Sequence, residues 1–400
     1  MTLVPLTGSS RGHGPRAQRR ATSELAGTSV NTMKHAALGL AMTALFFAEP
    51  VLSQRSFSST YDSSRQVKVQ GIVTRIDWVT PNVFFFIDVR DATGTVTNWA
   101  VDIGNPIELE RDGWKRSTLR IGDAVAVEGV PARNEARQAS AKSVVLTRTG
   151  KRLFAPPTTR RAATSPVPAP RWLDGQIRLG PPPGKTGYWG SASTKVLVEN
   201  TATKIPMSDD GLLVNIADAD KVAPFLPWAK AVYEYRQRRF LRDDPYSRCV
   251  PAGGPRQFQM PNGFQFIEQK ELGRILVFLG GGNRNWRVIF MDGRPLGTAA
   301  EAVPSYYGFS VGRWEKDTLI VESLGYNEKF WLTSSGLPHT EALHLTERFT
   351  RTDLNTLKYE VTVEDPRTYT RPWTGSWTIQ WVPDQDIQEY FCEDNSDFVR

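Results

Sequence analysis

Hydrophobic and polar positions alternate with period two over much of the chain beyond residue 65, and the pattern predicts a mainly β protein. In Val67–Trp78 the apolar positions run Val67, Val69, then Ile72, Ile76 and Trp78, and a bulge is expected where the phase slips at Gly71. Val83–Val89 is a continuous apolar strand. Asp91-Ala92-Thr93-Gly94 is a hairpin turn, and Trp99, Val101 and Ile103 alternate on the strand that returns. Asn105 as cap and Pro106 in the first turn predict a short helix ending near Gly113. After the turn at Ile121-Gly122-Asp123, Ala124–Val130 and Ala139–Thr147 supply a fourth and a fifth strand. Three strands, a helix and two strands is the order of a five-stranded barrel of the oligonucleotide/oligosaccharide-binding (OB) type.

From Ala155 to Thr186 the periodicity stops and eight prolines occur among basic residues, the composition of an extended linker. Leu212–Phe240 contains a helical stretch that would turn Val232, Tyr233 and Phe240 inward and Arg236, Arg238 and Arg239 to solvent. Seven strands follow: Ile275–Leu279, Trp286–Phe290, Tyr306–Trp314, Leu319–Leu324, Leu343–Phe349, Leu357–Val363 and Trp377–Trp381. Their close turn spacing predicts a larger antiparallel β-barrel or strongly curved sheet, preceded by the helix.

Ahead of these elements, residues 33–53 read as a secretory signal: Lys34, an apolar run from Ala36 to Phe47, and Val51-Leu52-Ser53 before a cleavage point at Gln54. The run falls short of the ~20 apolar residues of a stable membrane anchor. The expected organisation is therefore residues 1–32 as a disordered or mis-assigned extension with Met33 the true start, 33–53 the signal, 54–154 the OB-like domain, 155–186 the linker and 187–400 the larger β-domain. The expected location is periplasmic or secreted. The formal charge of +7 over 400 residues falls to +4 once the five basic and two acidic residues of 1–53 are removed. That balance gives no ground for a nucleic-acid partner. Asp77, Asp88, Asp91 and Asp102 flank the small barrel's aromatic residues and would repel phosphates. Cys249 and Cys392 are the only cysteines, and an even count in an exported chain predicts one disulfide.

The strand Leu343–Phe349 sets Glu347 on the same face as Leu343, Leu345 and Phe349, opposite the aromatic rows of Tyr359, Trp377 and Trp381. A carboxylate placed there either titrates near working pH as a general base or is neutralised by a buried cation, Arg287 or Arg313. His339 and Glu341 share a strand face while His344 takes the other, so the cluster does not converge on a metal. No nucleophile elbow, dinucleotide fingerprint or phosphate loop occurs, and no cofactor or metal is expected. Gly280-Gly281-Gly282-Asn283 reads as a turn.

Residues 73–129 carry Trp78 and Pro81-Asn82 after the first strand, Gly113-Trp114 after the helix and Gly122-Asp123-Ala124-Val125 before the fourth strand. This segment resembles a widespread bacterial exported family of unknown function. Later segments, among them GGGNRNWRVIFMDGRP, YYGFSVGRWEKDTLIVES and LPHTEALHLTERFTR, resemble a recurring partner of that domain. The resemblance implies export and the two-part architecture without implying a reaction. Members often begin with His-His-Ser after signal cleavage. This chain has Gln54-Arg55-Ser56 there and lacks those ligands.

Three functions are compatible with the pattern. The leading one is binding of a small apolar or amphiphilic molecule inside the larger barrel by Tyr307, Phe349, Tyr359, Trp377 and Trp381, oriented by Arg294. The second is a cofactor-independent isomerase, lyase or hydrolase with Glu347 or Glu341 as base and His339 as acid. The third is a structural or interaction module of the cell envelope. A small-molecule partner, without nucleic acid and without stable membrane insertion, is expected, and the oligomeric state is left open.

Overall fold

The computed structural model describes residues 57–79, 82–111, 113–134, 136–154, 167–193, 205–208, 211–281, 285–297, 303–387, 390 and 392. The expected signal at 33–53 lies outside them. A short helix α1 (Phe57–Thr60) precedes β1 (Val67–Asp77), β2 (Phe84–Arg90) and β3 (Val96–Asp102). Then come helix α2 (Pro106–Arg111), β4 (Ala124–Pro131), β5 (Gln138–Leu146) and β6 (Lys151–Phe154). β1 pairs with β2 and β4, β2 with β3, and β4 with β5, while a parallel pairing of β3 with β5 closes the five-stranded barrel. β6 extends β5.

Inward-facing Val73, Phe85, Ile87, Val101, Val125, Val127 and Val144 fill the small barrel, with Leu109, Trp114 and Leu119 packed among them. The register slip in β1 falls between Val73 and Arg75 rather than at Gly71. Gly71 answers a different demand: a Cβ there would stand 2.4 Å from the Asp88 carbonyl oxygen. Asp102, at the end of β3, is buried and accepts from Tyr61 Oη at 3.0 Å, Asn82 Nδ2 at 2.9 Å and the Gly104 N–H at 2.9 Å. Burial raises its pKa above the ordinary aspartate value, against the pull of those three donors.

The larger barrel contains β7 (Gly187–Trp189), β8 (Phe264–Gln269), β9 (Arg274–Leu279), β10 (Trp286–Phe290) and β11 (Phe309–Glu315). It continues through β12 (Thr318–Leu324), β13 (His344–Asp353), β14 (Thr356–Glu364) and β15 (Trp373–Pro383). These nine strands close in the order β10-β11-β12-β13-β14-β15-β7-β8-β9. All neighbours are antiparallel except β10 and β11, which run parallel. Helix α3 (Pro227–Arg238) starts on Pro227 at its first turn and buries Ala229, Tyr233 and Gln237. Arg236 differs from its expected solvent position: it lies over the Trp331 ring and donates to the Gly336 carbonyl.

Of the expected linker, the described part (167–186) packs on the larger barrel. Ile177 and Leu179 belong to the barrel's core. An extended, proline-rich backbone leaves its carbonyls without partners. Here Arg351 of β13 donates to the carbonyls of Arg178 (2.9 Å) and Gly180 (2.8 Å). The two barrels touch where Asn105 Nδ2 donates to Asn262 Oδ1 and where Arg133 lies 3.8 Å over the Phe240 ring. Cys249 and Cys392 form the expected disulfide, with Cα atoms 5.6 Å apart.

Candidate functional site

Strand alternation turns Leu345, Glu347 and Phe349 of β13 to the interior of the larger barrel. Glu347 stands between Val321 of β12 and Val361 of β14 and is 0% exposed. Arg287 of β10 meets it from across the interior. Its Nη1 donates to Oε1 at 3.1 Å and its Nη2 to Oε2. Nη2 also reaches Ser323 Oγ at 2.6 Å, Nε reaches Ser310 Oγ at 2.9 Å, and Tyr359 Oη donates to Glu347 Oε1 at 2.8 Å. Burial opposes the guanidinium charge, but the carboxylate beside it dominates and holds the Arg287 pKa above its usual value. Of the two arginines the sequence offered, Arg287 takes the role. Arg313 is exposed and pairs with Glu315 and Glu322.

His339 is buried in another cluster. Its Nε2 lies 3.0 Å from the Phe330 carbonyl oxygen and its Nδ1 3.2 Å from that of Thr340, with the Phe330 ring 4.2 Å away. Burial lowers its pKa. Glu341 is exposed, and its backbone N–H donates to Glu328 Oε1 at 3.1 Å. His344 faces outward and pairs with Glu364. The hydrogen-bonding partners of His339 and Glu347 are thus separate sets.

The six residues expected to contact a ligand are engaged in several separate contacts. Phe349 and Tyr359 stack at 4.8 Å and are 0% exposed. Phe258, carried by the short 3-10 helix Gly254–Gln259, packs against both, and Tyr359 stacks on Trp377. Trp377 donates to the Ser193 carbonyl, and Trp381 lies edge-on to Trp189 beneath Arg351. Tyr307 is hydrogen-bonded to Asn285, and burial raises its phenol pKa. Arg294 lies over the Phe290 ring and pairs with Asp292.

A cleft of about 400 Å³ opens instead at the end of the barrel where β8 gives way to β9, within the size range of small-molecule sites. It is lined by Asp174, Gln176, Glu268, Lys270, Gly273, Arg274, Ile275, Met291 and Trp314. Ile275, Met291 and Trp314 form its apolar wall. Gly312 makes room for Met291, since a Cβ there would stand 2.5 Å from Met291 Sδ and 2.8 Å from Ile289 Cγ2. Residues 171–180 cross this mouth. Arg171 pairs with Asp317 in a two-pronged contact, Asp174 with Lys270, and Trp172 Nε1 donates to Glu268 Oε1 at 3.0 Å.

Sequence reasoning missed the cleft because its lining comes from four separated stretches. The one available signal was Trp314, an aromatic residue beside Gly312 near the end of a strand. Among the described residues no group of three or more His, Cys, Asp or Glu could hold a metal ion, and no helix is long and apolar enough to cross a membrane.

Fold and geometry together define a β-rich, two-barrel protein with a polar-rimmed cleft at one barrel mouth. Residues 44–141 match a family of unknown function, DUF6152, so the match covers under half the chain and includes most of the small barrel. No curated protein matches the chain.

Proposed function

We propose that this chain is an exported binding protein whose larger barrel holds a small amphiphilic molecule at its mouth. The observation that carries the reading is the pairing of one apolar wall, Ile275, Met291 and Trp314, with a charged rim in a cleft of about 400 Å³. Barrel mouths are among the places where small-molecule sites recur, and a few polar groups around an apolar body fix a ligand's orientation. A cleft of this size takes on the order of a dozen non-hydrogen atoms, at ~30 Å³ for each water-sized group. The interior around Glu347 is an unsuitable alternative, because its carboxylate, Phe349 and Tyr359 retain no accessible surface.

Calorimetric titration with alkyl amphiphiles of increasing chain length, kept below micelle formation, tests the reading. One saturable site is expected, weakened about tenfold by Trp314→Ala, equivalent to about 1.4 kcal/mol of lost contact. Absence of saturable heat across the series overturns it. Export rests on the sequence of residues 33–53 and on the disulfide, which persists in oxidising compartments. The amino terminus of protein recovered outside the cytoplasm is expected near Gln54. Recovery with Met33–Ser53 still attached would remove the signal-peptide interpretation.

A further inference from the structure

We infer that the molecule taken by this cleft carries an oxyanion head group, received by Arg274, on an apolar body packed against Trp314 and Met291. The inference rests on the proposal that the cleft binds a small molecule, and it names that molecule's chemistry.

The argument follows from which charges around the cleft are already engaged. Glu268 is saturated: its Oε1 accepts from Trp172 Nε1 at 3.0 Å, and its Oε2 accepts from the N–H groups of Leu179 (2.9 Å) and Gly180 (3.0 Å). Asp174 and Lys270 neutralise each other, and Asp174 also accepts from the Gln176 N–H at 3.0 Å. Asp292, beyond β10, is held by Arg294 through Nε and Nη2. Arg274 is different. Its Nε donates to Gln269 Oε1 at 2.6 Å, which fixes the guanidinium plane. Its two terminal nitrogens have no acceptor among the described residues. Glu271, on the adjoining turn, makes no ion pair among the described residues either, but it does not line the cleft.

The acids of the cleft are thus occupied while its one half-buried guanidinium keeps its forked edge. That edge matches the two oxygens of a carboxylate or the oxygens of a sulfate, and a planar fork held from behind loses little freedom on pairing. The apolar wall of Ile275, Met291 and Trp314 supplies no charged group for the other end of the ligand. The chemistry therefore selects a single-headed anionic amphiphile over a sugar, a nucleotide or a dication.

The test uses the full chain and four probes: nonanoate, nonyl sulfate, nonan-1-ol and acetate, each titrated by calorimetry against wild type, Arg274→Leu and Arg274→Lys. Wild type is expected to bind nonanoate or nonyl sulfate about tenfold or more tighter than the alcohol, the scale of a hydrogen bond to a charged group. Arg274→Leu is expected to bring the anions down to the alcohol's affinity and leave the alcohol unchanged. Arg274→Lys is expected to recover part of the loss, because an ammonium restores charge without the fork. Whichever of the two anions binds tighter identifies the head group. Thermal unfolding confirms that each variant folds. Should Arg274→Leu fail to fold, Gln269→Leu frees the guanidinium and is expected to weaken anion binding alone.

Equal affinity for alcohol and anions, indifferent to Arg274→Leu, overturns the head-group inference while the amphiphile cleft stands. Acetate binding as tightly as nonanoate overturns the apolar body. Silence from all four probes defeats the cleft itself, and this inference with it.

Discussion

At the scale of single residues, the Arg287–Glu347 pair shows how a buried charge is made tolerable. A lone carboxylate inside the barrel would cost several kcal/mol in desolvation. Two guanidinium nitrogens, a tyrosine hydroxyl and two serines spread over β10, β11, β12 and β14 satisfy the ions instead. With Glu347 on β13, the pair and its partners tie five strands together, and the consequence concerns stability. Glu347→Ala leaves an uncompensated guanidinium in the interior and is expected to destabilise the protein by about 3–5 kcal/mol. Replacing both ions, as Arg287→Met with Glu347→Leu, is expected to recover most of that loss, because well-packed apolar groups often match a buried ion pair. Urea midpoints of the single and double variants measure the difference. A single variant as stable as wild type would mean that water or another group reaches the site and replaces the lost carboxylate.

At the scale of elements, much of the architecture was legible. Hydrophobic patterning, alternating in most strands and continuous in β2, located the five strands that close the small barrel and seven of the nine in the larger one, and Asn105-Pro106 located α2. The two missed strands have physical excuses. β7 is three residues long, too short to show a period, and β8 places Ile267, 40% exposed, where the pattern calls for a polar residue. Pro-rich composition hid the packing of residues 171–180, because Ile177 and Leu179 are isolated apolar positions anchored from a distance by Arg351. The buried glutamate was visible in β13, with Arg287 as one of two possible partners. The cleft was not visible, since no local pattern links residues 174, 268, 274, 291 and 314.

A property of one element that the sequence did not signal is the carboxylate at the end of β3. Asp102 is held above its ordinary pKa by burial, so the folded protein binds that proton more tightly than the unfolded chain does. The stability it contributes is full below its unfolded pKa of about 4 and is lost as pH rises through the higher folded value. Asp102→Asn keeps the shape and removes the titration, with the Asn82 amide free to turn its oxygen toward the new donor. Relative to this variant, wild type is expected to lose melting temperature as pH climbs from about 4 toward neutrality. Parallel melting curves at every pH would remove Asp102 as the cause.

At the scale of the whole molecule, the Cys249–Cys392 bridge decides how the segment beyond β15 is held at residue 392. It spans 143 residues, and the chain-entropy account gives about 5 kcal/mol for a loop of that length, at the top of the measured range. The anchoring point is itself well fixed. Cys249 follows a turn capped by Asp244, whose side chain accepts from the Tyr246 N–H at 2.9 Å and pairs with buried Arg256. The bridge therefore fastens residue 392 to an ion-paired corner. Cys249→Ser with Cys392→Ser is expected to lower unfolding free energy by about 2–5 kcal/mol. The same drop is expected for wild type in strong reductant, with no further effect of reductant on the variant. The sign of the comparison bears on location as well: a chain that depends on this bridge is weakened in a reducing compartment and at full strength in an oxidising one. Wild-type midpoints that ignore reductant, with both thiols alkylated before unfolding, would show that the larger barrel stands without the bridge and would take away the structural support for export.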